Sequence, residues 1–239
     1  MWGDRVIVER KEYLEKLIAW KDKKLIKIVT GVRRCGKSML LEIYQNYLKQ
    51  HNVEKEQIIA INFENLDYEE LTDYKKLYNY LKEHLVTNKM TYIFLDEIQN
   101  VPDFPKVLDS LYIKNNVDIY VTGSNAYMLS SEIATMISGR YVQIEMLPLS
   151  FREYMESTGS MNDRGIKYAE YLQNSSFPYT LELKNQPNEI REYLEGIYNT
   201  IVVKDIVNRK KITDTMMLKS VLQFIFDNIG NPLSSKKIA

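Results

Sequence analysis

The sequence predicts an α/β fold built on a mostly parallel five-stranded β-sheet, followed by a mainly helical region. Short runs rich in β-branched residues alternate with longer stretches whose apolar residues recur at helical spacing, as in strand–helix–strand units. This alternation ends near Pro148. Of the 239 residues, 45% are hydrophobic and 27% are charged, which is typical of a folded protein with a buried core.

The five predicted strands occupy the first part of the chain. They span residues 24–30, 57–64, 91–97, 118–123 and 141–147. Helices are predicted between them at 37–50, at 73–86, after Pro102 and Pro105 to about Lys114, and at 126–137. Helical crossovers make consecutive strands parallel, and the apolar content of 91–97 indicates a strand buried on both faces.

Three regions are predicted from this pattern. Residues 1–148 form the α/β core, residues 149–190 a lid-like region of helix and loop, and residues 191–239 the start of a helical C-terminal domain. Within the middle region, 157–165 is predicted as a polar loop and 171–189 as irregular. Apolar stripes predict helices from 190 to about 228. In the closing GNPLSSKKIA, Ser234 predicts the N-cap of a helix that is cut short.

Composition and charge exclude several classes of protein. The single cysteine, Cys35, excludes an internal disulfide and a two-cysteine zinc site, and it favours a reducing compartment. The sequence shows no signal peptide and no apolar run of about 18 residues, so we expect a cytoplasmic protein with no membrane partner. Residues 1–50 carry 12 basic against 6 acidic side chains, and residues 51–110 carry 6 against 12. This segregation is typical either of solvated helix faces or of an anion site followed by a cation site.

The strongest motif matches G-x-x-x-x-G-K-[ST] and lies between a predicted strand and a predicted helix. Glycines let the backbone fold closely around phosphate, and the N–H groups of the helix start face the anion. Lys37 is expected to reach the β- and γ-phosphates, and the Ser38 hydroxyl is expected to bind Mg²⁺. The predicted nucleotide-binding residues are Gly31, Val32, Arg33, Arg34, Cys35, Gly36, Lys37, Ser38 and Met39. The Cys35 thiol, at a helix N-terminus, is expected to have a lowered pKa and to be open to alkylation, but to be a bystander in the chemistry of the site.

An acidic pair lies at the end of the most apolar predicted strand, with Asp96 placed 59 residues after Lys37. Two charges at the end of a buried strand are costly unless a cation or another partner lies there. We therefore expect Asp96 to hold Mg²⁺ through water and Glu97 to activate the attacking water. A solvated strand end is the alternative interpretation.

Two further candidates follow along the chain. Thr122, Ser124 or Asn125, at the end of the fourth strand, is expected to hydrogen-bond the attacking water or the γ-phosphate, or else to form a turn and N-cap. Arg140, just before the fifth strand, supplies the delocalised charge that suits a transferring phosphoryl group, in its own chain or in a neighbour. A surface salt bridge is the alternative for Arg140.

The segments GVRRCGKS, YIFLDEIQNV, YVTGSNA, SGRY and LPLSFREY together resemble the AAA-superfamily ATPases of bacteria and archaea in which a C-terminal domain of unknown function follows the nucleotide domain. The resemblance covers nearly the whole chain, and its C-terminal part resembles the start of that second domain, including a winged-helix-like portion. It implies a P-loop NTPase three-layer sandwich with strand order 5-1-4-3-2. It also implies a Mg²⁺ role for Asp96, a catalytic role for Glu97, sensing by Ser124 or Asn125, and an arginine role for Arg140.

Two departures from the family pattern accompany this resemblance. Where the family has a Gly-Gly loop before a proline, this sequence has Ser175-Ser176-Phe177-Pro178. The second domain stops at Ala239, which indicates a shortened form of a longer protein.

The leading functional hypothesis is an Mg²⁺-dependent ATPase that hydrolyses the β–γ phosphoanhydride and couples this to conformational change. The sequence is compatible with a homo-oligomer. The alternative is an ATP-gated DNA-binding or regulatory protein with little hydrolysis, because the last 36 residues carry 7 basic against 3 acidic side chains. The C-terminal domain is the expected contact for a DNA or protein client. A GTPase is disfavoured because Asn88-Lys89-Met90-Thr91 lacks the acidic residue of N-K-x-D.

Overall fold

The computed structural model describes residues 6–124, 137, 139–159, 163–183, 186–201, 206–207, 212–232 and 234. The chain forms two compact units, residues 1–187 and residues 188–239. The three regions proposed from the sequence, with boundaries at 148 and 190, stay predictions. None of the described helices is long and apolar enough to cross a membrane.

The first unit contains a parallel sheet of five strands. These are β1 (Ile26–Gly31), β2 (Ile58–Asn62), β3 (Thr91–Asp96), β4 (Val117–Ser124) and β5 (Tyr141–Glu145). They are hydrogen-bonded in the order β2-β3-β4-β1-β5, and every neighbouring pair is parallel. The order 5-1-4-3-2 that the resemblance implies is therefore confirmed. Every residue of β1 and β3 is buried, as expected for strands covered on both faces.

Eight α-helices are described. They are α1 (Lys11–Ala19), α2 (Lys37–Gln50), α3 (Tyr74–Glu83), α4 (Phe104–Tyr112), α5 (Phe151–Thr158), α6 (Arg164–Asn174), α7 (Pro187–Thr200) and α8 (Thr215–Asp227). The sequence pattern missed α1, which spans only nine residues and whose N-cap residue makes no side-chain capping bond. The prediction of irregular structure at 171–189 was partly wrong, because α6 continues to Asn174 and a 3₁₀ turn covers Pro178–Leu181. The predicted helix at 126–137 lies outside the described residues except for its last position.

Alternation along the strands creates two cores, one on each face of the sheet. On one face, Ile28 and Ile93 pack with apolar residues of α3 and α4. On the other, Val29 and Phe94 pack with residues of α1 and α2. Because successive side chains of a strand point to opposite faces, each strand contributes to both cores. The result is the three-layer sandwich that the resemblance implies.

A buried polar network lies where β1 and β4 begin. Lys27 is fully buried, donates a hydrogen bond to the Asp118 carboxylate, and donates a second one, of 2.7 Å, to the Lys23 carbonyl. Asp118 also accepts from the Asp22 N–H and the Tyr120 hydroxyl, both at 2.8 Å. Burial lowers the pKa of Lys27 and raises the pKa of Asp118, and the attraction between the two opposes both shifts. Each charged group in this network is therefore well provided with partners.

Candidate nucleotide-binding site

The phosphate loop connects the carboxyl end of β1 to the first residue of α2. Gly31 is required by a close approach, because a Cβ atom there would lie 2.3 Å from the Met146 carbonyl oxygen and 2.8 Å from the Cys35 Sγ. Arg34 and Gly36 both have left-handed backbones, with φ of 64° and 105°. This conformation suits glycine and turns the chain sharply into the helix. The short motif thus builds a compact loop directly ahead of a helix N-terminus.

The N-terminus of α2 has the character of an anion site. The helix is 14 residues long and its first turn contains no acidic side chain. Gly36 accepts a bond from the Leu40 N–H at 3.0 Å, which starts the helical ladder. The first N–H groups of a helix lack partners within the helix, and they carry the positive end of its dipole. The sequence and the local fold therefore present donors to an anion at this point.

The ammonium group of Lys37 lies within this loop. Lys37 is only 4% exposed, and its Nζ is 3.3 Å from the Gly31 carbonyl oxygen and 3.4 Å from that of Val32. The nearest carboxylate oxygen, Oε1 of Glu97, is 3.6 Å away. These distances are long for charge-assisted hydrogen bonds, which typically measure about 2.7–2.9 Å. A buried cation whose contacts with the described residues are all long is suited to bind an additional anion.

The acidic pair stands at the carboxyl end of β3, beside this loop. Asp96 is 7% exposed and accepts hydrogen bonds from the Thr122 hydroxyl and the Ser38 side chain. Burial raises the pKa of Asp96 above its ordinary value, although both hydrogen bonds oppose that shift. Glu97 is 8% exposed and has a left-handed backbone with φ of 54°, which is uncommon for a residue with a Cβ. The two carboxylates that the sequence predicts at this edge are thus brought together with Lys37 and Ser38.

Thr122 joins the two acidic residues. Its hydroxyl donates to Asp96 and accepts from the Glu97 N–H at 2.9 Å, and its side chain is fully buried in β4. The sequence predicts that one of Thr122, Ser124 and Asn125 hydrogen-bonds the attacking water or the γ-phosphate. In the structure this hydroxyl is already engaged on both sides. Thr122 therefore positions the acidic pair.

Sequence reasoning missed Arg10, which lies far from the motif along the chain. This residue is 3% exposed and sends three hydrogen bonds: 3.0 Å to the Cys35 carbonyl, 2.6 Å to the Leu147 carbonyl and 2.8 Å to the Glu153 carboxylate. It thereby connects the phosphate loop to the chain after β5 and to α5. Glu153 also closes a capping box with Ser150 at the start of α5. The signal available in the sequence was S-x-x-E, which predicts the helix start but not its arginine partner.

The other predicted site residues lie in different surroundings. Ser124 pairs in register with Gly31 at the carboxyl edge of the sheet, and Asn125 lies outside the described residues. The exposed residues of the loop include Val32 and Arg34, whereas Arg33 and Met39 are half-buried. The expectation for Cys35 was wrong: the thiol is fully buried, and this burial raises its pKa instead of lowering it.

Arg140 is not brought to the phosphate loop of its own chain. Its carbonyl accepts from the Ile26 N–H at 2.8 Å, so it lies at the amino end of β1, whereas the loop follows the carboxyl end. The length of β1 separates the two by about 16 Å. The half-exposed guanidinium pairs with Asp109 at 2.7 Å and lies over the Tyr112 ring. The structure therefore separates Arg140 from the phosphate loop of its own chain.

The residues present fit a magnesium ion at the carboxyl edge. Ser38 and Asp96 offer a hydroxyl and a carboxylate, which are oxygen ligands of the kind that Mg²⁺ prefers. Burial disfavours the ionised form of Asp96, and a cation there would favour it. Within the described ranges no group of three or more His, Cys, Asp or Glu side chains is placed to hold a metal.

A model of the AAA domain matches residues 23–155. An uncharacterized protein of Haemophilus influenzae is 37% identical over 241 residues, covering 98% of this chain and 59% of the relative. One of Methanocaldococcus jannaschii is 31% identical over 233 residues, covering 90% of this chain and 49% of the relative. The chain thus spans between about half and three fifths of the length of these curated relatives.

Two solved structures show the same fold at low sequence identity. The Walker-type ATPase of Pyrococcus abyssi has a TM-score of 0.52 and 14% identity, covering 88% of this chain and 79% of that one. The ORC1 protein of Aeropyrum pernix, solved in complex with DNA, has a TM-score of 0.50 and 15% identity, covering 99% and 78%. The family match spans more than half of the chain and contains both the phosphate loop and the acidic pair. The chain therefore belongs to the AAA-domain family, with the fold of a P-loop ATPase.

Proposed function

We propose that this protein binds ATP with Mg²⁺ and hydrolyses the β–γ phosphoanhydride by an activated water, coupling hydrolysis to conformational change. The observation that carries the proposal is the buried grouping of Lys37, Glu97 and Asp96 beside a phosphate loop and a helix N-terminus. Such a combination of N–H donors, ammonium and carboxylates suits phosphoryl transfer to water.

Each group in the site has a part in this reaction. The loop N–H groups and Lys37 bind the phosphates, which replace the long contacts that Lys37 makes to backbone carbonyls. When bound, Mg²⁺ neutralises charge on the phosphate oxygens, and Ser38 and Asp96 are the residues that would hold it. Glu97 accepts a proton from the attacking water as the water oxygen bonds to the γ-phosphorus and ADP departs with the electron pair of the broken bond.

Two variants test this function with separate outcomes. Lys37→Ala is expected to lose ATP binding, and Glu97→Gln is expected to retain binding while phosphate release falls by about 10²- to 10⁴-fold. Lys49→Ala and Glu83→Gln, both at exposed helical positions, are matched controls expected to behave as the parent. Tight ATP binding by Lys37→Ala, or parental hydrolysis by Glu97→Gln, would contradict the assignment.

We also propose that Arg140 acts in the site of a neighbouring copy, and its position at the amino end of β1, about 16 Å from the phosphate loop of its own chain, supports this. An exposed guanidinium that pairs with a surface carboxylate and lies over the Tyr112 ring can leave these partners at little cost. Mixing Arg140→Ala with Glu97→Gln tests this, because mixed oligomers would contain sites with both Glu97 and Arg140 intact. Recovered phosphate release supports action between copies, and an inactive mixture of assembled oligomers opposes it.

The second candidate is an ATP-gated DNA-binding protein with slow hydrolysis. The basic excess of the last 36 residues favours it, and a protein solved on DNA shares the fold. The measurement is duplex binding with and without ATP across a salt series. This function is supported if the affinity for duplex DNA depends on ATP and falls as the salt concentration rises. Duplex binding that does not change with salt concentration argues against it.

A further inference from the structure

Gln99 lies next to the predicted catalytic carboxylate, in the segment YIFLDEIQNV, but no role has been assigned to it. It follows Glu97 by two residues, in the 3₁₀ turn Ile98–Asn100. Its side-chain Nε2 donates a hydrogen bond to Oε2 of Glu97. This is a contact between a neutral donor and a carboxylate, which is about twice as strong as one between neutral groups.

The hydrogen bond from Gln99 is one of three features that hold Glu97 in place. The other two are its backbone conformation and the hydrogen bond of its N–H group. The left-handed backbone of Glu97 sets the direction of the side chain, and its N–H is held by Thr122 at 2.9 Å. The two carboxylate oxygens are divided between partners: Oε1 lies 3.6 Å from the Lys37 Nζ, and Oε2 accepts from Gln99. When ATP binds, the Lys37 ammonium is expected to contact the phosphates in place of Glu97. Gln99 would then be the side chain that still holds the carboxylate.

The carbonyl oxygen of the Gln99 side chain indicates the role of this residue. Its Oε1 atom is buried and has no hydrogen-bond partner among the residues that the structure describes. A glutamine that joins two parts of a fold uses both its donor and its acceptor, because a buried unpaired acceptor is unfavourable. In the described part of the chain, Gln99 uses only the end that faces Glu97. Its role is therefore tied to that carboxylate.

We propose that Gln99 is a positioning residue for hydrolysis, which holds Oε2 of Glu97 so that Oε1 is directed to the attacking water. The inference rests on the proposed function. When the phosphates of ATP take the Lys37 ammonium, Oε1 becomes available to accept the proton of water while Oε2 stays bound to the amide. Gln99 would thus act through its hydrogen bond to Glu97.

The test is a comparison of Gln99→Met and Gln99→Glu with the parent. Methionine keeps the length of the side chain without the donor, and glutamate keeps its shape while replacing the donor with an acceptor. Both are expected to lower kcat about 10- to 100-fold, the range for losing one hydrogen bond to a charged group. The Kd for a non-hydrolysable ATP analogue should stay within about twofold, because neither phosphate loop nor helix is altered. Gln50→Met, at an exposed position, is the matched control.

A double-variant cycle separates positioning from a general structural effect. In a Glu97→Gln background, measured by single-turnover phosphate release, Gln99→Met should cause no further loss, because it acts through a base that is already absent. Parental kcat in both Gln99 variants, an independent loss in the Glu97→Gln background, or a matching loss of analogue affinity each overturns the proposal. Circular dichroism and the thermal midpoint verify that the variants fold. If Gln99→Met does not fold, the test is made with Gln99→Glu.

The failure of this inference is distinguishable from failure of the proposed function. If the parent releases phosphate no faster than Lys37→Ala, the ATPase function fails and the role of Gln99 fails with it. If the parent hydrolyses ATP and Glu97→Gln does not, while both Gln99 variants match the parent, only the inference about Gln99 is wrong.

Discussion

Two buried lysine–carboxylate pairs lie at opposite ends of the same sheet, and their hydrogen bonding differs. At the amino end, Lys27 donates to Asp118 and to the Lys23 carbonyl. At the carboxyl end, Lys37 lies 3.6 Å from Glu97, and its contacts to loop carbonyls measure 3.3 and 3.4 Å. Both lysines are nearly inaccessible, at 0% and 4% exposure, so the contrast is not one of burial.

The partners of the two carboxylates extend this difference. Asp118 accepts from a lysine, a tyrosine hydroxyl and a backbone N–H, so both oxygens are bound. The Tyr120 hydroxyl is in turn 2.9 Å from that of Tyr44, which ties the network to α2. Among the residues that the structure describes, Glu97 has a close hydrogen-bond donor on one oxygen, Oε2. The amino end is therefore a closed structural network, whereas the carboxyl end keeps capacity for an anion.

The largest expected effect follows from breaking the closed pair. Lys27→Met would leave the Asp118 carboxylate buried without its cation, and removing one partner of a buried pair typically costs about 3–5 kcal/mol of unfolding free energy. Lys37→Met should cost less than about 1.5 kcal/mol, because only long contacts are lost. Urea unfolding followed by tryptophan fluorescence measures both. Lys37→Met should instead abolish ATP binding, which Lys27→Met should preserve at temperatures where it folds.

A companion variant sharpens this prediction. Replacing the pair together, as Lys27→Met with Asp118→Leu, should recover part of the lost stability because no charge remains buried alone. Equal destabilisation by Lys27→Met and Lys37→Met would remove the distinction between the two ends of the sheet.

An intermediate effect is expected at Arg10, which donates three hydrogen bonds next to the phosphate loop. Arg10→Met would remove three hydrogen bonds and leave the Cys35 and Leu147 carbonyls without that donor. We expect a loss of about 2–3 kcal/mol in unfolding free energy. ATP affinity should fall as well, because the phosphate loop loses the contact that fixes the Cys35 carbonyl.

The matched control for Arg10 is Arg152→Met. Arg152 is 79% exposed and pairs with Glu156 one helical turn away, so its loss should change stability by less than about 0.5 kcal/mol. If Arg10→Met were as mild as this control, Arg10 would not be part of the structural support of the loop.

The sequence predicted those features that depend on contiguous residues. The phosphate loop and the acidic pair are short motifs placed at strand ends, and the strand direction brings them to one edge. Arg140 shows how the same rule could have been applied further: a residue that precedes a parallel strand lies at the opposite edge from a loop that follows one. The position of Arg140 in its own chain was therefore available from topology.

Other parts of the site depend on contacts that no local pattern encodes. Arg10 and Glu153 are 143 positions apart, and only the folded chain brings the arginine beneath the loop. Thr122 was recognised as polar, but its two partners follow from the register of β3 and β4. The pairing of Gln99 with Glu97 is local, yet it depends on the left-handed turn at Glu97, which the sequence does not announce.

The smallest expected effect concerns Cys35. This residue lies in the phosphate loop, but its thiol is fully buried. Burial raises the pKa of this thiol above its ordinary value of 9.0, so it stays protonated and inaccessible near neutral pH. Iodoacetamide should label the native protein far more slowly than the urea-unfolded chain. Because the unfolded thiol ionises first, the stability contribution of Cys35 is fully present below pH 9.0 and is lost as pH rises towards the higher folded pKa. Cys35→Ala should lack this alkaline component, and equally fast labelling of native and unfolded protein would show that the loop is open around the thiol.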